Sequence, residues 1–443
     1  MNPGRKFGRL SSFQIILAGF AAVILLGALL LMLPFAAKDG GSTPFSDALF
    51  TAVSAVCVTG LVVVDTATHW SAFGQAVILA LIQVGGVGVV TVAIAALRLS
   101  GRKIGLKEKS TAQEAVSAPS VGGVVGLTGL ILKVTLIAEL LGALALLPVF
   151  CTRFGAKGIW MAIFHSVSAF CNAGFDILGE GGAFSSLTDY AADPAVNLIV
   201  MTLIFAGGIG FLVWEDVVKH KWRFKEYRLQ SKVALVASGV LVLLPALYFF
   251  FAEFSACPVG ERIWRSLFQA VTPRTAGFNT SDLAALSGVG QALTVFLMLV
   301  GGSPGSTAGG FKTTTLAVLF ASALSVSRKK EDVELGGRRV PEGTLGRAAA
   351  LLCMYLTLFF IGGSVISLAE GLPLSVCLFE SASALGTVGL SLGVTPALGT
   401  AARIVLIALM FIGRAGGMTC VYAAFGGSRR PSSRLPAENI AIG

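Results

Sequence analysis

Long apolar stretches alternate with shorter amphipathic ones along this chain, and the same order of events occurs four times. The first apolar stretch, 13–37, has 25 positions without a charge, more than the about 20 residues that span a bilayer as a helix. In each unit a long apolar stretch precedes a short amphipathic stretch, a glycine-containing turn and a second long apolar stretch. The pattern predicts first helices at approximately 13–36, 123–151, 232–254 and 345–369, and second helices at approximately 73–97, 195–218, 288–326 and 400–425.

The short amphipathic stretches align with one another. They read FSDALFTAVSAVCVTGL (45–61), FHSVSAFCNAGF (164–175), LFQAVTPRTAGF (267–278) and LFESASALGTVGL (378–390). Each predicts a short helix that ends in two residues, a glycine, and Leu or Phe. The turn glycines are Gly60, Gly174, Gly277 and Gly389, at intervals of 114, 103 and 112 residues.

A second landmark follows each turn glycine within the next apolar stretch. It reads GGVG at 85–88, GGIG at 207–210, GGSP at 301–304 and GRAG at 413–416. One such motif would be ordinary packing of small residues between membrane helices, but four in register with four turns predict an internal repeat. We therefore divide the chain into units 1 to 4, at residues 1–97, 98–218, 219–327 and 328–443. The predicted fold is an all-α polytopic membrane protein, with four helix–pore loop–helix units in pseudo-fourfold symmetry around one pore.

Composition and charge agree with a membrane protein and argue against nucleic-acid binding. The chain is 55% hydrophobic and 13% charged, whereas soluble domains have about 25% charged residues. Of its 33 Lys and Arg, 23 lie in the segments 5–9, 98–109, 219–232, 328–347 and 429–434. Basic residues in short loops mark the cytoplasmic side. Eight crossings with re-entrant short stretches put all five segments there, which predicts a multi-pass protein of the plasma membrane with both termini cytoplasmic.

The four turns predict a pathway for a cation. Backbone that re-enters a bilayer is tolerated only where it is buried in protein or lines a water-filled cavity. Carbonyl oxygens from four turns around one axis could replace the hydration shell of a cation, and glycine permits the required backbone angles. No acidic residue lies within the turns, and Asp176 lies two residues beyond Gly174. We therefore expect selection by carbonyl groups rather than by carboxylates.

The third landmark predicts a gate. A helix interior loses about 1 kcal/mol per Gly and about 3 kcal/mol per Pro relative to Ala, and residues 301–310 hold five glycines and one proline. We expect only this second helix to be broken, although a tolerated kink is the alternative. The predicted gate residues are Gly302, Ser303, Pro304, Gly305, Ser306, Thr307, Gly309, Gly310 and Lys312.

Arg414 is the second candidate for the gate. It stands where the other three landmarks have glycine, and a charge within the membrane normally faces a partner or a cavity. We expect Arg414 to project toward the axis and donate to carbonyl groups of the broken helix. The alternative is an ion pair with an acidic residue.

Several motifs resemble the Trk/Ktr/HKT superfamily of potassium transporters across essentially the whole chain. They are CVTGL (57–61), TAGF (275–278), TVGL (387–390) and GGSPGSTAGGFKTTT (301–315), and RKIGLKEKSTAQEA (102–115) is most similar to the bacterial Ktr-type membrane subunit. The resemblance implies potassium uptake through a gated pore, and glycine in all four turns goes with selectivity for K⁺ over Na⁺. The filter positions that it implies are Val58, Thr59 and Gly60; Asn172, Ala173 and Gly174; Thr275, Ala276 and Gly277; and Thr387, Val388 and Gly389.

The same resemblance implies partners. They are a second copy of the membrane chain and a cytosolic ring of Rossmann-type regulatory subunits that bind ATP, ADP or NAD. The chain itself has no Walker sequence and no GxGxxG after a strand pattern, so we expect no nucleotide site in it. Residues 426–443 are too polar to span, and we expect them at the dimer interface or against the ring.

Three other classes of function are alternatives to a gated potassium pore. Sodium-selective or sodium-coupled symport stays open as the main alternative. A membrane enzyme would need His, Asp or Glu clustered at one depth, and it is disfavoured because none of the three histidines, His69, His165 and His220, lies near another. Seven scattered Cys without CxxC spacing predict neither a metal site nor a disulfide framework. A non-conducting scaffold leaves the four in-register turns unexplained.

Overall fold

The computed structural model describes residues 11–100, 105–116, 122–179, 182–330 and 332–425 and is predominantly helical. Unit 1 contains α1 (Ser12–Leu31), α2 (Phe45–Val56), α3 (Thr66–His69), α4 (Ala72–Val87) and α5 (Val89–Leu99), and α6 (Leu106–Val116) follows it. Unit 2 contains α7 (Val124–Phe154), α8 (Lys157–Phe170), α9 (Pro194–Gly208) and α10 (Phe211–His220). These bounds reproduce the predicted order of first helix, short helix and second helix.

Units 3 and 4 repeat this order. Unit 3 contains α11 (Leu229–Tyr248), which ends in a π-helical turn, and then α12 (Val259–Val271), α13 (Gly288–Leu299) and α14 (Thr313–Ser327). Unit 4 begins with a small antiparallel pair of strands, β1 (Glu334–Leu335) and β2 (Arg338–Arg339). Unit 4 contains α15 (Thr344–Glu370), α16 (Leu374–Gly386), α17 (Thr400–Ala415) and α18 (Gly417–Phe425). The predicted fold class is thus confirmed.

The first helix of each unit faces the bilayer. Within the described ranges, four helices are long and apolar enough to span it, and two bent pairs, α4 with α5 and α9 with α10, raise the number to six. The predicted number of eight crossings is reached when the interrupted second helices of units 3 and 4, α13 with α14 and α17 with α18, are each taken as one further crossing. Each first helix carries large apolar side chains that are more than half exposed, which suits lipid rather than water; examples are Leu26, Leu140, Leu244 and Phe360.

The second helix is interrupted in every unit, so the expectation of a break in unit 3 alone is wrong. Gly88, Gly210 and Gly416 have φ of 95°, 97° and 86°, a conformation that glycine adopts far more readily than residues with a Cβ. The chain bends by 93° between α4 and α5 and by 96° between α9 and α10. These glycines occupy the fourth landmark position, where unit 3 has Pro304. Unit 3 differs in the length of its break, because residues 300–312 separate α13 from α14.

The short helices α2, α8, α12 and α16, hereafter the pore helices, form the centre of the core. Three of them begin directly after a proline, Pro44, Pro258 or Pro373, whose fixed φ and missing N–H suit the start of a helix. Each contributes one phenylalanine that is at most 1% exposed, at the same place in the alignment: Phe50, Phe164, Phe268 and Phe379.

Candidate ion pathway

The four filter turns, residues 58–60, 172–174, 275–277 and 387–389, form a closed ring. A Cβ built on the glycine of one turn would lie within 3.0 Å of the carbonyl oxygen of the middle residue in another turn. The four pairs are Gly60 with Ala173, Gly174 with Ala276, Gly277 with Val388 and Gly389 with Thr59. The contacts therefore run from unit 1 to 2, 2 to 3, 3 to 4 and 4 back to 1. This cyclic order brings all twelve predicted filter residues together around one axis.

The backbone of each turn alternates between two conformations. The first residue and the glycine of each triplet have positive φ, whereas the middle residue does not. Positive φ is uncommon for a non-glycine residue, and half of the eight such residues in the described chain are these first residues: Val58, Asn172, Thr275 and Thr387. Strained backbone of this kind costs about 1–3 kcal/mol per residue and concentrates at functional sites. Alternation turns successive carbonyl groups of a triplet to the same side, as a coordinating filter needs.

Two cavities lie at the ends of the ring. The filter-side cavity has a volume of about 160 Å³ and is lined by the four turn glycines together with Asp65 and Asp176. Asp65 is fixed there, because its carboxylate accepts from the backbone N–H of Thr68 at 2.8 Å and of Phe184 at 2.9 Å. The gate-side cavity has a volume of about 220 Å³ and is lined by Lys312 and Arg414, among others. Acidic side chains therefore line the cavity at the filter side, and basic side chains line the cavity at the other side.

The gate loop, residues 300–312, lies between the filter turns and the gate-side cavity. It is bonded to the breaks of the neighbouring second helices: Ser303 donates to the Gly208 carbonyl at 2.9 Å, and Gly310 donates to the Gly413 carbonyl at 3.3 Å. In return, the backbone N–H of Phe211 donates to the carbonyl of Gly305 at 2.7 Å. The loop is therefore held by units 2 and 4 on either side of the axis.

The gate loop also touches the filter turns directly. The Thr307 hydroxyl lies 3.3 Å from the Asn172 amide and donates to the carbonyl of Phe170 at 3.1 Å. A Cβ built on Gly309 would collide with the side chain of Thr387. Thr307 and Gly309 thus occupy the space next to the first filter residues of units 2 and 4.

Arg414 joins the gate loop to unit 1. Its guanidinium donates to the carbonyl groups of Thr307 and Gly85, and to that of Gly86 at 3.1 Å. Lys312 folds back onto its own loop, where its ammonium group donates to the carbonyls of Ala308 at 2.7 Å and Gly309 at 3.0 Å. Neither side chain forms an ion pair with another described residue. The expected projection of Arg414 onto loop carbonyls is what the structure has, and its role in gating stays a prediction.

Sequence reasoning missed three features of this region. The landmark glycines Gly85, Gly207 and Gly413 pack on the carbonyl groups at the ends of the pore helices, where a Cβ would collide. Arg274 is 7% exposed and donates to Ser238; its place inside an otherwise small and apolar turn was a signal that could have been used. The third feature is a set of hydroxyl groups behind the filter turns, and the Ser or Thr four positions after the phenylalanine of every aligned stretch was the signal for it.

Comparison with known proteins agrees with this architecture. Residues 5–427 match the family TrkH, described as cation transport protein. The chain is 41% identical to potassium/sodium uptake protein NtpJ of Enterococcus hirae, over 98% of both chains. It is 38% identical to Ktr system potassium uptake protein B of Bacillus subtilis, over 99% of this chain and 98% of that protein. The crystal structure of the potassium transporter TrkH from Vibrio parahaemolyticus has the same fold, with a TM-score of 0.74, 20% identity, and 95% and 86% of the two chains covered.

Proposed function

The chain belongs to the TrkH family of cation transport proteins, which confirms the predicted resemblance, and we propose that its four units form one gated pore for potassium uptake. The observation that carries the proposal is the closed ring of glycine and carbonyl contacts. Four turns in cyclic contact present carbonyl oxygens at one level, which is what a dehydrated monovalent cation requires.

Selection of K⁺ over Na⁺ is the most favoured form of this function. All four turns keep glycine, and two relatives that cover nearly the whole chain are potassium uptake proteins by name. A third is a potassium/sodium uptake protein, so sodium-selective or sodium-coupled transport is the alternative to be tested beside it. The names of these relatives lend no support to a membrane enzyme.

The gate loop supports a pore that is closed until it is activated. Hydrogen bonds to a charged group contribute about 1.5–3 kcal/mol each, and Arg414 donates three of them. Opening the pathway requires the loop to leave Thr387 and Asn172, and therefore requires Arg414 to release the carbonyl of Thr307. An activating signal must supply several kcal/mol to make the open state common.

The setting of the pore follows from family and charge. The chain is an integral membrane protein, and we place its basic segments and both termini in the cytoplasm, so that the filter turns open to the outside of the plasma membrane. Residues 426–443, which we assign to an interface, lie outside the described residues.

Regulation in our proposal comes from other chains. Relatives named as Ktr system proteins indicate that the membrane chain works with a further component. We assign that role to a cytosolic ring of Rossmann-type subunits that bind nucleotide, and we expect the membrane chain to form a homodimer.

Ion flux into liposomes tests the proposal. The purified chain is reconstituted with and without the candidate regulatory subunit, and uptake of K⁺, Rb⁺ and Na⁺ is measured separately. A variant that lacks residues 303–309 is assayed in parallel, because a closed gate would otherwise hide a functional filter. K⁺ and Rb⁺ uptake well above that of Na⁺ is expected. Absence of K⁺ uptake by both chains contradicts the proposal, and K⁺ uptake that requires Na⁺ favours the alternative.

A further inference from the structure

Four buried residues with hydroxyl groups lie behind the filter turns, each four positions after the buried phenylalanine of its pore helix. They are Ser54, Ser168, Thr272 and Ser383, each with 0% exposure. In every unit the backbone carbonyl of this residue accepts from the N–H of the middle filter residue, at 2.8 Å in units 1, 2 and 4 and at 3.0 Å in unit 3. This backbone contact is the same in all four units.

The hydroxyl groups themselves act in two different ways. Ser54 accepts from the backbone N–H of Gly60 at 3.0 Å, and Ser383 accepts from that of Gly389 at 3.0 Å. In units 2 and 3 the hydroxyl is instead a donor to the carbonyl of the residue after the glycine. Ser168 donates to Phe175 at 2.7 Å, and Thr272 donates to Phe278.

Whether the hydroxyl group accepts or donates determines the direction in which the carbonyl groups of the turn point. The N–H and C=O of one trans peptide point in opposite directions. Because Ser54 holds the N–H of Gly60 against the pore helix, the carbonyl of Thr59 in the same peptide is aimed away from that helix and toward the axis. In unit 2, by contrast, Ser168 turns the carbonyl of Phe175 back toward the pore helix.

We propose that Ser54 and Ser383 are positioning residues that fix the filter carbonyls of Thr59 and Val388. Ser168 and Thr272 instead withdraw from the pathway the carbonyls of Phe175 and Phe278, the residues after the turn glycines of units 2 and 3. This inference rests on the proposed function and deepens it. Discrimination between K⁺ and Na⁺ depends more on units 1 and 4 than on units 2 and 3.

The outer end of the filter is correspondingly asymmetric. The carbonyls of Leu61 and Leu390 have no hydrogen-bond partner among the described residues, whereas those of Phe175 and Phe278 are occupied. A cation at this level meets two free carbonyl groups of a possible four and keeps part of its hydration shell. The outermost position therefore controls how readily ions enter, and the inner carbonyls control which ion is selected.

Two double variants test whether units 1 and 4 contribute more to ion selectivity than units 2 and 3. Ser54→Ala with Ser383→Ala removes the hydrogen bonds that hold the peptides after Thr59 and Val388. We expect the ratio of K⁺ to Na⁺ uptake to fall about tenfold, because a tenfold change corresponds to the free energy that about one hydrogen bond contributes to the correct carbonyl geometry. Ser168→Ala with Thr272→Val leaves those peptides anchored. This pair is expected to keep the ratio within about twofold and to change the KM for K⁺ uptake instead.

A matched control removes two pore-helix serines that do not face the filter. Ser166 donates to the carbonyl of Glu139 at 2.6 Å, and Ser381 donates to that of Phe359 at 2.9 Å, so S166A with S381A is expected to leave both ratio and KM unchanged. Ser54→Thr with Ser383→Thr keeps the hydroxyls, as Thr272 does in unit 3, and is expected to retain selectivity. Where S54A with S383A does not reach the membrane, S54A alone is measured against S168A alone.

Equal loss of selectivity in the two pairs, or in the control, overturns the inference, and so does an unchanged ratio in S54A with S383A. These outcomes are separate from failure of the proposed function, which would appear as absent K⁺ uptake by the unmodified chain and by the variant that lacks residues 303–309.

Discussion

The filter turns and the layer beneath them come from the same four repeats, but the four units are alike in the ring of turns and differ in the layer beneath it. In the ring of turns, every unit makes the same contact with its neighbour, from a glycine to a carbonyl oxygen. In the layer beneath, unit 3 has a loop of 13 residues between its helices, unit 4 has Arg414, and units 1 and 2 have a sharp bend. The ring contacts thus place the four turns equally around an ion, and units 1 and 4 differ from units 2 and 3 in the hydroxyl groups behind the turns. Stopping an ion requires only one segment that can move and one group that holds it.

Adding a Cβ to a turn glycine is expected to disrupt the ring of equal contacts most severely. Gly389→Ala is expected to lower K⁺ uptake by about 100-fold or more, because the methyl group collides with the carbonyl of Thr59 and the backbone has a φ of 95°. Uptake by cells at matched membrane expression measures this. Gly239→Ala is the control, since no atom lies within 4 Å of that added methyl group. Normal uptake by G389A would remove this turn from the filter.

Deletion of residues 303–309 removes most of the loop that distinguishes unit 3 from the other units in the layer beneath the ring. Gly302 and Gly310 can be rejoined, because the backbone on either side is already paired: Gly301 donates to the carbonyl of Phe311 at 2.8 Å. Flux without any activator is expected to rise by about tenfold or more, given the several kcal/mol that hold the loop. Unaltered or lost flux in a variant that elutes as a folded protein counts against a gate.

Arg414→Ala leaves the loop in place and removes its link to unit 1. The loss of bonds to Thr307 and Gly86 is expected to raise activator-independent flux by about three- to tenfold, less than the deletion because units 2 and 4 still hold the loop. The control is Arg347→Ala, at an exposed arginine whose side chain donates to the carbonyl of Gly343 and to no other described residue. Should R414A and R347A behave alike, the arginine has no share in closing the pathway.

Gly60→Ser tests selection rather than conduction. The added side chain faces the carbonyl of Ala173 in unit 2 and disturbs one of the four contacts. We expect the ratio of K⁺ to Na⁺ uptake to fall by about three- to tenfold while some K⁺ uptake remains. Paired measurements of both ions against Gly239→Ser decide the matter. A ratio equal to that of the unmodified chain would take Gly60 out of the filter.

The elements of the fold could be predicted because repetition marks them. Four aligned stretches identified the pore helices and turn glycines, and apolar length identified the first helices. The breaks at Gly88, Gly210 and Gly416 were missed because GGxG was interpreted as a packing motif, although its last glycine is the one with positive φ. The motif both permits close packing and interrupts the helix, and only the backbone conformation shows which glycine does which.

Contacts between units could not be predicted in the same way. Nothing in the spacing of Thr307 and Asn172 says that they touch, and nothing in the identity of Ser54 and Ser168 says that one accepts while the other donates. A repeat indicates which positions are equivalent. Differences between equivalent positions arise from the three-dimensional neighbourhood, and the two arrangements of hydroxyl groups are such a difference.

The closure of the ring has a consequence for biogenesis. The last contact joins Gly389 to Thr59, and it is reinforced by an ion pair between Arg403 and Asp47, with 2.6 Å between nitrogen and oxygen. Units 1 to 3 leave the ribosome with a ring that has one side open, and the partners that complete unit 1 are synthesised more than 300 residues later. A chain that is interrupted before unit 4 therefore lacks both of these contacts and cannot complete the ring of filter turns.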